Sequence, residues 1–226
     1  MTAEHLLCLL LLTLTLPGCQ EKTAKAVADT IAVKVADNVT KFHKLKKLSV
    51  VGDFDGDGKQ DSVFQHTYSR QAQSEIDYSP DPLQNEWDTV AQWFYDQKAD
   101  VYLTLHQNNP DTLHLGTAQG LYCLFTIGDT NADGKDEIAL VVDQLDFSRV
   151  NSCLIYSLCK GKWTLLKQFG VYEGAFDFTS DQSPVFNTIK GFLEKQDDHW
   201  VYKDYSQLME DNDPGKMLIL KLAPCK

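Results

Sequence analysis

Arginine is nearly missing from this chain of 226 residues: Arg70 and Arg149 are the only two among 21 basic side chains, against 32 acidic ones. The formal net charge of -11 leaves no concentrated positive surface to hold phosphates, which argues against a nucleic-acid partner. Long hydrophobic runs are missing too. The longest, Leu6 to Leu16, has eleven residues, whereas a membrane-spanning helix needs roughly 20. No Cys-x-x-Cys pair, nucleophile elbow or phosphate loop occurs, and His43, His66, His106, His114 and His199 share no metal-binding spacing. These absences speak against a zinc centre, a dithiol redox enzyme and a nucleotide hydrolase. What remains, 43% hydrophobic and 23% charged residues, is the composition of an ordinary globular protein with one sizeable core or two small ones.

The apolar run ends in Leu16-Pro17-Gly18-Cys19. A stretch of this length at the terminus has the dimensions of a secretory signal. The four residues resemble the bacterial lipobox, in which cleavage exposes a cysteine that is then acylated. Met1 to His5 carries no Lys or Arg, a departure from the positively charged start of such signals. The resemblance implies a signal peptide over 1–18, lipidation of Cys19 and anchorage in the bacterial cell envelope. Each buried acyl methylene adds roughly 0.8 kcal/mol to such an anchor. Cys8 is then lost, leaving Cys123, Cys153, Cys159 and Cys225, an even number that permits two disulfides in an exported protein. Cys153 and Cys159 are poor partners if they share a strand, since six extended residues span about 20 Å. Buried free thiols are the alternative.

From Glu21 to Phe42 the residues Val27, Ile31, Val35, Val39 and Phe42 recur every three or four positions, the stripe of an amphipathic helix. Such a helix packs on the domain or lies at the membrane surface, so 19–47 is expected to be lipidated cysteine plus helix. After Lys47 short β-branched and aromatic runs alternate with Gly, Asp and Asn clusters. Strands are predicted at Leu48–Phe54, Ser62–Thr67, Asp100–His106, Leu121–Ile127, Glu137–Val142, Ser152–Leu158 and Trp163–Phe169. Further strands are expected at Thr188–Glu194, Trp200–Tyr205 and Met217–Leu222, and Lys160-Gly161-Lys162 reads as a tight hairpin. A polar, Pro-containing stretch between Arg70 and Lys98 interrupts the rhythm and reads as an insertion. In it Trp87, Val90, Ala91, Trp93 and Phe94 suit one short helix. With Tyr78 and Tyr95 they form either a binding loop or a private mini-core.

A repeated motif is the strongest internal signal. One copy is Gly52-Asp53-Phe54-Asp55-Gly56-Asp57-Gly58-Lys59-Gln60-Asp61; the other is Gly128-Asp129-Thr130-Asn131-Ala132-Asp133-Gly134-Lys135-Asp136-Glu137. Each follows one predicted strand and precedes another. Oxygen side chains at loop positions 1, 3, 5 and 9 converge when the backbone curls round a centre. Glycine at position 6 permits the sharp turn, and position 7 offers the main-chain carbonyl of Lys59 or Lys135. Hard oxygen ligands in that number suit Ca2+. Four carboxylates crowded within a few ångströms repel by several kcal/mol without a cation. The second loop, with Asn131, has one formal charge fewer and is expected to bind more weakly. Neither is an EF-hand: position 12 is Phe64 or Leu140 rather than a bidentate Glu.

The two blocks resemble the FG-GAP (VCBS-type) repeat of integrin α-subunit propellers and of many exported bacterial proteins. The resemblance implies two Ca2+ loops between antiparallel strands, with Asp53, Asp55, Asp57 and Asp61 ligating in one and Asp129, Asn131, Asp133 and Glu137 in the other. A full propeller of that family is much longer than this chain. The expected fold is therefore mainly β and antiparallel, a partial or divergent β-propeller-like domain over 48–226.

No catalytic constellation stands out, so the leading expectation is a lipid-anchored, Ca2+-stabilised binding or structural module of the envelope, with a protein or glycan partner and no enzymatic activity. Two alternatives stay open. One is a periplasmic inhibitor or immunity lipoprotein against a cell-wall hydrolase, which the acidic charge suits. The other is an envelope enzyme with a carboxylate pair hidden among the many acids.

Overall fold

Burial along one strand shows how the chain is layered. In the computed structural model, Ile138, Leu140 and Val142 of the strand Glu137–Gln144 join one apolar core, and the intervening Ala139 and Val141 join another. All five are nearly or fully sealed from solvent. A strand covered on both faces reads as an unbroken apolar run rather than as an alternation, and burying each large side chain is worth about 1.5–3 kcal/mol. The described residues are 40–105, 112–176, 187–206 and 216–225. Apart from Thr40 they all lie in one compact unit that begins at Lys41. Cys19, the signal and the stripe from Val27 to Val39 lie outside the described residues.

The described residues form four antiparallel sheets, one of them a two-stranded pair; the three larger ones follow one another in chain order. The first is built from β2 (Ser49–Gly52), β3 (Asp61–Ser69), β4 (Ser74–Glu75), β6 (Ala99–Leu105) and β7 (Thr112–Gly116), in the order β2-β3-β6-β7 with β4 beside β3. The second runs β11-β10-β9-β8, from β8 (Ala118–Gly128), β9 (Glu137–Gln144), β10 (Val150–Cys159) and β11 (Lys162–Tyr172). The third comprises β12 (Leu193–Gln196), β13 (His199–Tyr202) and β14 (Leu218–Ile219). Val50, Val63, Val101 and Leu103 of the first sheet meet Leu124, Ile138, Leu140 and Leu158 of the second. The opposite face of the second sheet, with Phe125, Val141, Ile155 and Phe169, packs against Leu193, Leu220 and the partly buried Trp200 of the third region. The middle sheet is thus the filling between two others. Where β10 turns into β11, the tight hairpin expected at Lys160-Gly161-Lys162 has a two-residue loop, and Lys160 (φ 52°) and Gly161 (φ 76°) both take the left-handed backbone that such a loop requires.

The insertion is a mini-core rather than an open loop. Its helix α1 (Trp87–Asp96) buries Val90 and Phe94, one turn apart on one face, against Ile76, Ala99 and Leu145. Two boundaries differ from expectation. Phe42 does not close a helical stripe: it opens β1 (Phe42–Lys44), which pairs with β5 (Tyr78–Pro80), and its ring stands edge-on to Trp93 at 5.8 Å. Pairing and aromatic contact outweigh the helical period there. The strands expected at Thr188–Glu194, Trp200–Tyr205 and Met217–Leu222 shrink to short β12, β13 and β14, and β7 emerges where none was expected. Of the four cysteines, Cys159 and Cys225 form a disulfide, and Cys123 and Cys153 are buried free thiols.

Candidate metal centres

Both Asp-rich loops connect paired strands and have the same backbone. Gly52 pairs with Asp61 at the mouth of the first loop, and Gly128 with Glu137 at the mouth of the second. Position 6 is left-handed in each, Gly58 at φ 82° and Gly134 at φ 85°. Position 4 is left-handed as well: Gly56 at φ 79° and, unusually for a side chain with a Cβ, Ala132 at φ 59°. Four backbone twists placed alike show that the repeated sequence folds as a repeated turn.

The carboxylates point inward and gather main-chain donors. In the first loop Asp53 accepts from the N–H groups of Gly56 and Gly58, both at 2.9 Å, while Asp55 accepts from Asp57 and Asp57 from Lys59. In the second, Asp129 accepts from Asp133 and Gly134, Asn131 from Asp133, and Asp133 from Lys135. Each position-1 aspartate thereby holds the loop in its curl. The result is two groups of three carboxylates, Asp53, Asp55 and Asp57 in one and Asp129, Asp133 and Glu137 in the other. Each residue offers an oxygen within 4.8 Å of the others'. Asp61 is not drawn into the first group; its carboxyl is pushed up by burial and by the nearby Asp55 charge.

Glu137 is the most informative member. It is fully buried, with Oε2 accepting from the Thr130 N–H at 2.8 Å and Oε1 meeting no hydrogen-bond donor among the described residues. Ser157 on β10 lies beside this carboxylate and, like the Thr130 N–H, favours its charged form. Burial pushes the carboxyl up to about 7; the Thr130 N–H pulls the other way, and the charges of Asp133 and Asp129 push it further up. A buried, unsatisfied carboxylate oxygen is costly. Facing two more carboxylates, it fits a cation that would convert three repelling groups into ligands. The donor set is all oxygen, as Ca2+ prefers.

The two loops touch. Asp53 N–H donates to Asp136 Oδ2 at 2.9 Å, and Asp136 N–H returns a bond to the Asp53 carbonyl at 2.8 Å. A side chain at Gly52 would collide with Asp136 and Phe54, so glycine there allows the approach. Phe54 anchors the first loop from below, fully buried and 6.2 Å from the Trp163 ring. The second loop is tied down more widely. Lys135 Nζ donates to the Leu158 carbonyl on β10, Trp200 Nε1 to the Ile127 carbonyl at the loop's entrance, and the chain end reaches it through Ala223 and Cys225. In the first loop Lys59 only folds back on Asp57 at 2.9 Å, and holds that carboxyl below its usual range.

Sequence reasoning missed Asp136, because it stands at a position the motif leaves free, and it missed the chain end, which carries no motif. It also missed a polar row on the first sheet. There His66, Tyr102 and His114 lie side by side across β3, β6 and β7, with His114 and Arg70 sharing the buried Asp100. His106, the last residue of the strand expected at Asp100–His106, lies outside the described residues. Among the described residues no helix is long and apolar enough to cross a membrane. No family model, curated protein or solved structure matches the chain.

Proposed function

We propose that the two loops bind Ca2+ and that the protein is a lipid-anchored, Ca2+-stabilised β module of the bacterial cell envelope, serving as a binding or structural element rather than as an enzyme. The observation that carries the metal sites is Glu137: a sealed carboxylate with one orphan oxygen, aimed at Asp129 and Asp133. Lys59 and Lys135 would add their main-chain carbonyls. Ca2+ tolerates such irregular oxygen shells, whereas Mg2+ demands a tighter octahedron and keeps its waters. Small antiparallel sheets stacked in chain order, with corresponding hairpins carrying the loops, support an FG-GAP-type, partial propeller-like domain. Cys19 would supply the anchor, and a protein or glycan the partner. With its loops fixed by metal, the rest of the surface is held ready for recognition.

Calorimetric titration of Ca2+ into the chelator-treated protein tests the metal sites. Two sites are expected in the wild type, one in Asp57→Ala and one in Asp133→Ala. No heat at millimolar Ca2+ in any of the three would overturn the proposal. Loss of the lipid on Cys19→Ser, followed by release from membranes, tests the anchor.

A further inference from the structure

The chain end lies across the second loop. After Leu220, whose N–H bonds to the Trp200 carbonyl, no further strand follows among the described residues. Ala223 and Pro224 are exposed, yet two bonds join this segment to residues 92 positions earlier. Cys225 N–H donates to Asp133 Oδ2 at 3.0 Å, and the Ala223 carbonyl accepts from Asn131 Nδ2 at 3.3 Å. Both partners stand at expected ligand positions. The second bond fixes the Asn131 amide with its Oδ1 turned inward, where it accepts from the Asp133 N–H. What keeps the segment there is the Cys159–Cys225 disulfide, at the end of β10. Cys225 Sγ also lies 3.5 Å from the Ser157 hydroxyl, and Lys135 grips the neighbouring Leu158 carbonyl. No disulfide reaches the first loop among the described residues.

We propose that the segment Ala223–Cys225 is a redox-released clamp on the second metal loop: the intact disulfide holds Asn131 and Asp133 in ligating positions, and its reduction weakens Ca2+ binding there while sparing the first loop. This rests on the loops being Ca2+ sites. Reduction by an external dithiol proceeds by thiolate attack on one sulfur of the pair, giving a mixed disulfide and one protein thiolate. The dithiol's second thiolate then breaks the mixed disulfide. Two electrons pass to the protein pair, both cysteine sulfurs take up protons, and the reagent leaves as its own disulfide. Freed of the crosslink, the segment regains chain entropy, and its two hydrogen bonds alone do not hold it. Asn131 and Asp133 must then be ordered by the cation itself. Linkage makes the coupling reciprocal: the factor by which reduction weakens Ca2+ binding is the factor by which Ca2+ protects the disulfide.

The test uses full-length chain with one loop silenced at a time. With the first loop silenced by Asp55→Asn and Asp57→Asn, Ca2+ affinity is expected to fall about tenfold on reduction with dithiothreitol, within the usual range of coupled sites. With the second silenced by Asp129→Asn, the remaining affinity should not change. Saturating Ca2+ should shift the dithiol–disulfide equilibrium of the first-loop-silenced chain by the same factor, about 30 mV for this two-electron couple. Cys159→Ala/Cys225→Ala, checked for its fold by circular dichroism, should bind like the reduced protein under all conditions. Equal affinity in both redox states, or equal weakening of both loops, would overturn the clamp and leave the metal sites standing. No Ca2+ binding in either redox state would overturn the metal sites and the clamp together.

Discussion

In the first loop Lys59 bends back onto its own Asp57, whereas in the second Lys135 reaches away to the Leu158 carbonyl of a neighbouring strand. The contrast holds at positions 3, 5 and 7 and is reversed at position 1, where Asp53 is half-buried and Asp129 exposed. Asp55, Asp57 and Lys59 are exposed, while Asn131, Asp133 and Lys135 are half-buried. At position 9, Asp61 keeps some contact with solvent and Glu137 has none. One backbone turn has therefore been set in two dielectric surroundings. The first loop has more formal charge and free access; the second has fewer charges but a sealed carboxylate and supports on three sides. Charge count alone favours the first, as expected from sequence. Support and desolvation act on the second in opposite directions, since a pre-arranged shell helps binding and a buried charge resists forming without the cation.

The largest effect that would break this comparison is at position 9. Glu137→Gln should lower Ca2+ affinity of the second loop by about 100-fold or more, read by calorimetry. Without metal the same change should raise stability at pH 8 by about 1–3 kcal/mol, because it removes a carboxylate that burial holds up to about 7. Asp61→Asn should gain far less in the metal-free protein. Equal gains would mean that the two positions are equivalent. Next comes the bridge between the loops. Asp136→Ala leaves the Asp53 N–H without its acceptor and should cost about 1–2 kcal/mol in denaturant unfolding, with weaker Ca2+ binding at the first loop. Gln60→Ala, the same position in the exposed loop, should stay within about 0.5 kcal/mol.

The smallest effect lies in the strands that leave the loops. The seventh residue of β3 is Thr67, and that of β9 is Asp143. Burial pushes the Asp143 carboxyl up to about 7; the Tyr122 hydroxyl opposes this and the Glu173 and Asp146 charges add to it. The folded chain keeps a proton there that the unfolded chain releases near 4. The stability tied to that proton is present in acid and lost as pH rises through 4 to 7. Asp143→Asn should flatten this slope and raise stability at pH 8 by about 1 kcal/mol, allowing for partial exposure. An unchanged pH profile would show that solvent already reaches the group.

Much of this was legible in the sequence. Two copies of Gly-Asp-x-(Asp/Asn)-x-Asp-Gly-Lys in one phase were enough to place both turns, because position-1 carboxylates and position-6 glycines act locally. Strands with strong apolar character, such as β9 and β10, were legible for the same reason. What joins distant parts was not. Asp53 and Asp136 are 83 residues apart, and nothing in a single chain marks a free motif position as a bridge. The disulfide was one of several open pairings until β10 and the chain end came together in space. Phe42 fitted a helical stripe by period, yet its fate was decided by β5 and Trp93, which lie far along the chain. Glu137 was assigned as a ligand, but its complete burial depends on the sheet behind it.

The strand that carries Glu137 has apolar matter on both faces and hydrogen-bonded partners at both edges. Its amide protons therefore have no private route to water. They can exchange only when the sheets on either side part, so the slowest-exchanging amides should be found in β9 and should report the global unfolding free energy. The loss of either outer sheet would strip one face of that strand, which makes the three layers a single cooperative unit rather than three independent ones.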